Sequence, residues 1–229
     1  MRLGRHGSAR SRLAFVVLLV LAPTGLWAAD KTAQKAYAKD YQFTKDSFTD
    51  KIPAWTRLLA GLKGEPGLHY LEIGTYEGRS ALWMLENVLT HPTARLTIID
   101  AFEEHTLARF TANVSLSGEA ARFDVKVGHS TDKIREVPLN AIDLAYIDGS
   151  GRGIIMLSDL VATWHLVKIG GIIICSRNHL NPALRQALNL HAGDPGPHEA
   201  IDAFLKMFGP YLTTLAVQGN YVMVRKTRQ

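Results

Sequence analysis

From residue 53 onwards the chain alternates short apolar runs with segments whose apolar residues recur every three or four positions. Short apolar runs are typical of buried strands, and the longer spacing is typical of helices that pack on a sheet. The predicted strands cover residues 68–73, 96–99, 123–127, 142–147, 172–175, 212–217 and 221–224. The predicted helices cover residues 55–62, 79–89, 106–116, 157–167 and 200–208.

Most of these strands are separated by a helix, which is the order of a parallel sheet covered on both faces. The last two strands are joined by Gly219-Asn220, a dipeptide that favours a hairpin. Lys168 to Gly171 carry a basic residue and two glycines and are predicted to close the preceding helix. The pattern therefore predicts a Rossmann-like, three-layer α/β/α sandwich whose seven-stranded, mostly parallel sheet ends in an antiparallel hairpin.

The N-terminal residues have a different character. Residues 1–28 contain four arginines, no acidic residue and an apolar run over 13–21, which is typical of a secretory signal peptide. An uncleaved membrane anchor is the alternative, although Pro23 interrupts a stretch shorter than the ~20 apolar residues that a span needs. We therefore expect export, to the periplasm or outside the cell, with no stable membrane span once the signal is cleaved.

The charge balance changes once this segment is set aside. The chain has a formal net charge of +5, but residues 29–229 contain 22 basic and 21 acidic side chains. A nucleic-acid partner is therefore not predicted. Residues 29–50 are polar, with scattered aromatic residues, and are expected to form an extension that packs loosely on the domain and could cover an active site. Residues 51–229 are predicted to form one domain.

The most informative segment is a predicted strand that ends in a glycine-containing turn and opens a helix, with the sequence LEIGTYEGRS over residues 71–80. Gly74 and Gly78 allow a sharp turn close to a ligand, and Glu72 at the strand end is placed to meet a cationic amine. The G-x-x-x-G spacing differs from the dinucleotide fingerprint, and Asp100 follows Gly74 by 26 residues rather than about 20. A nicotinamide-dependent oxidoreductase is therefore disfavoured, and a Walker loop is excluded because no Gly-Lys-Ser/Thr follows.

The segment resembles the first motif of class I S-adenosylmethionine-dependent methyltransferases. Further segments agree in order with a small-molecule branch of that class, and more distantly with the catechol-type O-methyltransferases. They are residues 74–80, 99–102, 127–130, 142–150 and 170–174. The resemblance implies that S-adenosylmethionine is the cofactor and that its methionine part is held by Glu72, Gly74, Thr75, Tyr76, Gly78 and Ser80. It further implies that Asp100, with Ala101 and Phe102, holds the ribose, that Gly128, His129 and Ser130 hold the adenine edge, and that Asp148 also lies at the cofactor.

Departures from the family pattern bear on catalysis. The family usually has a histidine where this chain has Gly151, and two acids where it has Ser176 and Arg177. Asp148 beside an arginine is a poor site for a hard cation, so no metal site is predicted. Asp148 and His179 are the candidate catalytic residues, and His129 is a weaker candidate for a base. Residues 181–198 are predicted to form either a lid over the acceptor or a surface loop.

Two functions remain open at this point. The first is methyl transfer from S-adenosylmethionine to an oxygen or nitrogen of a small-molecule acceptor, without a metal. The second is a non-catalytic protein that keeps the fold and binds S-adenosylmethionine or another ligand, because the residues at 151, 176 and 177 differ from the family pattern. A homo-oligomer is compatible with either function.

Overall fold

A computed structural model of the chain describes residues 37–176 and 180–229. This part of the chain contains seven strands, which are β1 (His69–Ile73), β2 (Arg95–Asp100), β3 (Phe123–Val127), β4 (Ile142–Ile147), β5 (Val167–Ser176), β6 (Leu212–Gln218) and β7 (Tyr221–Lys226). Its α-helices are α1 (Ile52–Leu58), α2 (Arg79–Asn87), α3 (Glu104–Ser117), α4 (Ser130–Lys133), α5 (Gly153–Leu166), α6 (Pro182–Ala187) and α7 (Pro197–Phe208). The predicted signal peptide lies outside the described residues.

The strands form one sheet in the order β3-β2-β1-β4-β5-β7-β6. Strands β1 to β5 pair in parallel, and β7 pairs antiparallel with both β5 and β6. This arrangement confirms the predicted fold, including the C-terminal hairpin at Gly219-Asn220. Because the chain order reverses between β1 and β4, the carboxyl ends of these two strands flank the position where open α/β sheets bind ligands.

The two faces of the sheet carry separate apolar cores because alternate strand residues point to opposite sides. On one face, Tyr70 and Tyr146 pack with Trp55 of α1 and Trp83 of α2. On the other face, the core is built from residues of α5 and α7, which include Leu160, Trp164, Ile201 and Phe204. The sheet therefore lies between two helical layers, as the sequence pattern indicates.

The segment between α5 and β5 differs from the prediction. Residues 168–171 belong to β5 rather than to a loop that closes the helix, because Val167 already pairs with Ile142 of β4. The register of this pairing shifts between Ile142 and Leu144. The shift accommodates Gly170, whose φ of +86° is left-handed, and Lys168 forms an ion pair with Asp143 at 2.7 Å.

No helix in residues 37–176 and 180–229 is long and apolar enough to cross a membrane.

Candidate functional site

The turn after β1 has a backbone conformation that requires glycine. Gly74 and Gly78 have left-handed φ angles of +83° and +87°, and Tyr76 adopts a φ of 55°. A Cβ atom on Gly74 would lie 2.4 Å from the Cα atom of Gly149, which follows β4. Glycine is therefore needed at position 74, both for its conformation and for the close approach of the two strand ends.

Asp100, at the end of β2, closes this turn. Its Oδ2 atom accepts hydrogen bonds from the backbone N–H groups of Thr75 at 2.8 Å and Tyr76 at 2.9 Å. Its Oδ1 atom accepts one from the N–H of Phe102 at 2.8 Å. The carboxylate therefore holds the turn in place, and Oδ1 keeps a lone pair for a ligand hydroxyl.

Glu72 lies near the end of β1, as the sequence predicts. Its side chain is fully buried and is not among the residues that line either cavity, and its contact with a ligand amine stays a prediction. Oε2 accepts a hydrogen bond from the Tyr70 hydroxyl at 2.7 Å, and Oε1 accepts one from the Ser80 hydroxyl at 2.5 Å. Burial raises the pKa of the Glu72 carboxyl to about 7. Its contact with the cleft runs through Ser80.

Asp148, at the end of β4, is an acid that lines the cleft. Its Oδ2 atom accepts a hydrogen bond from the Tyr146 hydroxyl at 2.7 Å. Tyr146 is buried with the edge of its ring against Trp55, at a centroid distance of 4.9 Å. The pKa of this tyrosine lies well above its ordinary value because of burial, so it remains a donor to Asp148.

Two cavities meet above the strand ends and share Gly74, Asp100 and Gly149. The first has a volume of about 400 Å³ and contains most of the residues predicted for the ribose and adenine. The predicted residues that line this first cavity are Asp100, Ala101, Gly128, His129 and Ser130. The structure adds Arg152 and Ile155, which no sequence motif pointed out.

The second cavity has a volume of about 370 Å³ and lies over the helix that follows the glycine turn. Four residues predicted for the methionine part, Gly74, Thr75, Tyr76 and Ser80, line this cavity together with Asp148. Gly78 and Phe102 line neither cavity; Gly78 packs under the turn against Phe110, and the Phe102 ring lies 5.1 Å from that of Phe110.

The described part of the N-terminal extension, residues 37–50, is tightly anchored rather than loosely packed. Buried Glu77 accepts hydrogen bonds from the backbone N–H of Thr44 at 2.6 Å and from its hydroxyl at 2.7 Å. Arg109 pairs with the same carboxylate at 2.9 Å. Asn113 exchanges two hydrogen bonds with the backbone of Gln42, both at 2.9 Å. We call residues 37–48 the strap.

The strap contributes a wall of the second cavity through Phe43, Lys45, Ser47 and Phe48. The sequence raised the idea that this extension could cover an active site but identified none of these residues. Arg79 also lines the cavity, with its guanidinium 4.5 Å above the Phe43 ring. Sequence analysis missed Arg79 because it treated the position as the start of a helix.

Residues 180–196 pack on the loop that follows β4. Arg152 donates a hydrogen bond to the carbonyl of Leu188 at 2.7 Å, and the N–H of Gly153 donates one to the carbonyl of Pro195 at 2.8 Å. A Cβ atom on Gly151 would lie 2.4 Å from Leu188 Cδ1. This segment thus occupies the space beside Gly151, and it lines neither of the two cavities.

The remaining predicted residues can be placed only in part. His179 and Arg177 lie outside the described residues, so the role of His179 stays a prediction. His129 is exposed at the rim of the first cavity. Among the residues that the structure describes, no three His, Cys, Asp or Glu side chains come together in a way that could hold a metal ion. Metal independence itself also stays a prediction.

Comparisons with known proteins agree with this fold. A family model described as a methyltransferase domain (Methyltransf_24) matches residues 71–176. TomG, an O-methyltransferase from Streptomyces achromogenes solved in complex with SAM, is 18% identical at a TM-score of 0.59, over 92% of this chain and 93% of its own. An O-methyltransferase from Bacillus cereus in complex with SAH is 16% identical at a TM-score of 0.60, over 92% and 94%. Cofactor-bound Rv0187 from MTB is 19% identical at a TM-score of 0.60, over 93% and 94%.

No curated protein matches the chain. At these identities the structural likeness establishes the fold, and the family model places the matched residues across β1 to β5, where the cleft lies.

Proposed function

We propose that this chain, whose residues 71–176 match the model of a methyltransferase domain, transfers a methyl group from S-adenosylmethionine to an oxygen or nitrogen of a small molecule. The observation that carries the proposal is the two-part cleft in which Gly74, Asp100 and Gly149 join the two cavities. A cleft of this form suits a ligand with a nucleoside at one end and an amino acid at the other.

The residues present fit such a ligand. Asp100 Oδ1 has a lone pair left for a ribose hydroxyl. In the second cavity, the Nε atom of Arg79 is buried and has no hydrogen-bond partner among the described residues. An unpaired buried donor is costly, and a ligand carboxylate would satisfy it. Lys45 lies on the same wall, 5.2 Å from the centre of the Tyr76 ring.

S-adenosylmethionine supplies an electrophilic methyl group when it is bound. The contribution of the protein is to hold an acceptor atom in line with that methyl group and to exclude water, and such positioning can supply much of the rate enhancement. We propose that Asp148 accepts the proton that the acceptor loses. Tyr146 fixes the orientation of Asp148 through its hydrogen bond. His179 is the second candidate for the base, as the sequence suggests.

One observation favours the second candidate function, a ligand-binding protein without catalysis. Gly151 and Ser176 occupy positions where the family resemblance calls for a histidine and an acid, and Leu188 fills the space beside Gly151. The loop after β4 therefore offers no basic side chain at position 151. Both functions require the same cofactor site, so binding is the first property to measure.

The first experiment is a thermal-unfolding measurement on the full chain with and without S-adenosylmethionine or S-adenosylhomocysteine. A ligand at about 100 times its Kd adds about 2.7 kcal/mol of stability, or roughly 5 to 10 °C for a domain of this size. The matched control is Gly74→Ala, whose Cβ would collide with the backbone of Gly149 and distort the turn between the two cavities. No shift at millimolar ligand would refute the proposed cofactor.

The second experiment separates the two functions. The chain is incubated with methyl-labelled S-adenosylmethionine and a panel of hydroxylated and amino-substituted small molecules, and labelled product is counted. Transfer that is lost in Asp148→Asn while S-adenosylhomocysteine binding is kept would support catalysis by this site. Binding without transfer to any acceptor would favour the non-catalytic function.

Export of the chain remains part of the proposal. The signal-like residues 1–28 support it, and fractionation of cells that express the tagged chain tests it. A protein found only in the cytosol with its N-terminus intact would contradict export.

A further inference from the structure

Asp159 on α5 is a buried acid that the site described so far does not use. It is 1% exposed, and its Oδ2 atom accepts a hydrogen bond from the Ser130 hydroxyl at 2.9 Å. Within residues 37–176 and 180–229, its Oδ1 atom has no hydrogen-bond partner and no Lys, Arg or His forms an ion pair with it. Burial raises the pKa of this carboxyl to about 6.

Such a group destabilises the fold. A carboxylate in an apolar environment with an unsatisfied oxygen costs free energy that a leucine of similar volume would not. Its neighbours along α5 include Met156 and Leu160, which belong to the core of this face, and Thr163, which is also fully buried. A role in ligand recognition would account for the acid.

The hydrogen-bond partner of Asp159 among the described residues, Ser130, lies at the cleft. Ser130 begins α4 and lines the first cavity, next to Gly128 and His129. A serine hydroxyl has one proton and two lone pairs. Because Ser130 gives its proton to Asp159, its oxygen can offer only lone pairs to a molecule in the cavity.

We propose that Asp159 is a positioning residue that makes Ser130 an acceptor-only group at the base end of the cleft, and so selects a purine with an exocyclic amine over one with an exocyclic oxygen. The inference rests on the proposed function, because it takes the nucleoside of S-adenosylmethionine as the occupant of the first cavity. An amine donates to the Ser130 oxygen, whereas a carbonyl faces it lone pair to lone pair. The preference for the amine over the carbonyl therefore follows from the hydrogen bond in which Asp159 holds the Ser130 proton.

A merely structural role for Asp159 makes a different prediction. If Asp159 only supported the loop at α4, its replacement would weaken adenine and hypoxanthine ligands by the same factor. If Asp159 holds the Ser130 proton, its replacement frees that proton to point at a carbonyl. The ratio of the two affinities, rather than either affinity alone, is therefore the diagnostic quantity.

The experiment measures, by calorimetry, the Kd values of S-adenosylhomocysteine and of its 6-oxo analogue S-inosylhomocysteine on the full chain. We expect the wild type to prefer the adenosyl ligand by about tenfold or more, which corresponds to one hydrogen bond gained against one repulsion. In Asp159→Leu the preference should fall to within about threefold, mainly because the inosyl ligand binds better.

Two further variants keep the test decisive. Ser130→Ala, at a partly exposed position, removes the acceptor without opening the core and should also abolish the preference, by weakening the adenosyl ligand. Thr163→Val is the matched control, because Thr163 lies one turn further along α5 and is fully buried, has a hydroxyl without a partner in the described part of the chain, and does not line the cavity. It should leave the preference unchanged.

The possible outcomes distinguish the two proposals. A wild type that binds both ligands equally, or an Asp159→Leu variant that keeps the full preference, would overturn the role of Asp159 and leave the proposed function standing. A wild type that binds neither ligand would overturn the proposed function and the inference together. Should Asp159→Leu fail to fold, Ser130→Ala decides the question, since an unchanged preference in that variant would also refute the mechanism.

Discussion

The carboxyl of Glu72 should make the protein less stable as pH rises. This residue is fully buried, and burial raises its pKa from an ordinary value of 4.5 to about 7. Between these two values the folded protein holds a proton on Glu72 that the unfolded chain has released. The free energy of unfolding therefore falls as pH increases through this window, by the linkage between proton binding and stability.

The size of the effect follows from the two pKa values. Each unit of difference between folded and unfolded states corresponds to 1.36 kcal/mol, so ionised Glu72 should cost about 3 kcal/mol at pH 8. Glu72→Gln keeps the shape and cannot ionise. Relative to the wild type, this variant should gain about 2 to 3 kcal/mol between pH 5 and pH 8. The hydroxyls of Tyr70 and Ser80 can each rotate to serve the amide.

Urea unfolding of both proteins at pH 5 and pH 8 measures this change. Comparing the variant with the wild type cancels the contribution of the other titrating groups. Glu65→Gln, the same substitution at an exposed position, serves as the control. A Glu72→Gln difference that stays the same at both pH values would refute the assignment of a neutral, buried Glu72.

Three further predictions concern the turn, the strap and the loop after β4. Asp100→Ala should abolish cofactor binding and also lower the free energy of unfolding by about 1 to 3 kcal/mol, because three backbone N–H groups lose their acceptor. Calorimetry measures the affinity and urea unfolding measures the stability. An unchanged affinity would contradict the proposed cofactor position. Glu77→Ala removes both hydrogen-bond acceptors of Thr44 and should release the strap, so limited proteolysis should cleave this variant within residues 37–50 and leave the same region of the wild type intact. Equal cleavage of the two proteins in this region would contradict the described anchoring of the strap. Gly151→His should displace Leu188 and make residues 180–196 more sensitive to protease, whereas an unaltered digestion pattern would show that this contact does not hold the segment.

The sequence predicted those features of the site that depend on local signals. The left-handed conformations at Gly74 and Gly78, the strand before them and the acid at the end of β2 all follow from short-range patterns. Asp100 does lie at the turn, although its hydrogen bonds to three backbone N–H groups were not foreseen. Sequence reasoning treated Asp100 as a group that serves only the ligand, because the backbone contacts of a carboxylate leave no trace in the spacing of residues.

Glu72 shows a second limit of prediction from local sequence patterns. Its position at the end of β1 was right, but which layer of the molecule receives its side chain depends on how α2 packs over the strand. The anchoring of the strap was not predicted for the same reason, because it also depends on contacts between distant segments. Thr44 and Glu77 are 33 residues apart, and Gln42 and Asn113 are 71 apart, so no local pattern connects them.

The sequence alone therefore determined the order of strands and helices, the parallel sheet, the glycine turn and the class of ligand that such a turn suits. These follow from the period of apolar residues and from backbone conformations that only certain residues adopt. Tertiary structure alone decided that the strap forms a wall of the cleft, that Glu72 lies beneath the turn, and that Asp159 holds the proton of Ser130. Each of these depends on side chains from distant segments meeting in a packed interior, where burial and hydrogen bonding, rather than spacing along the chain, set the chemistry.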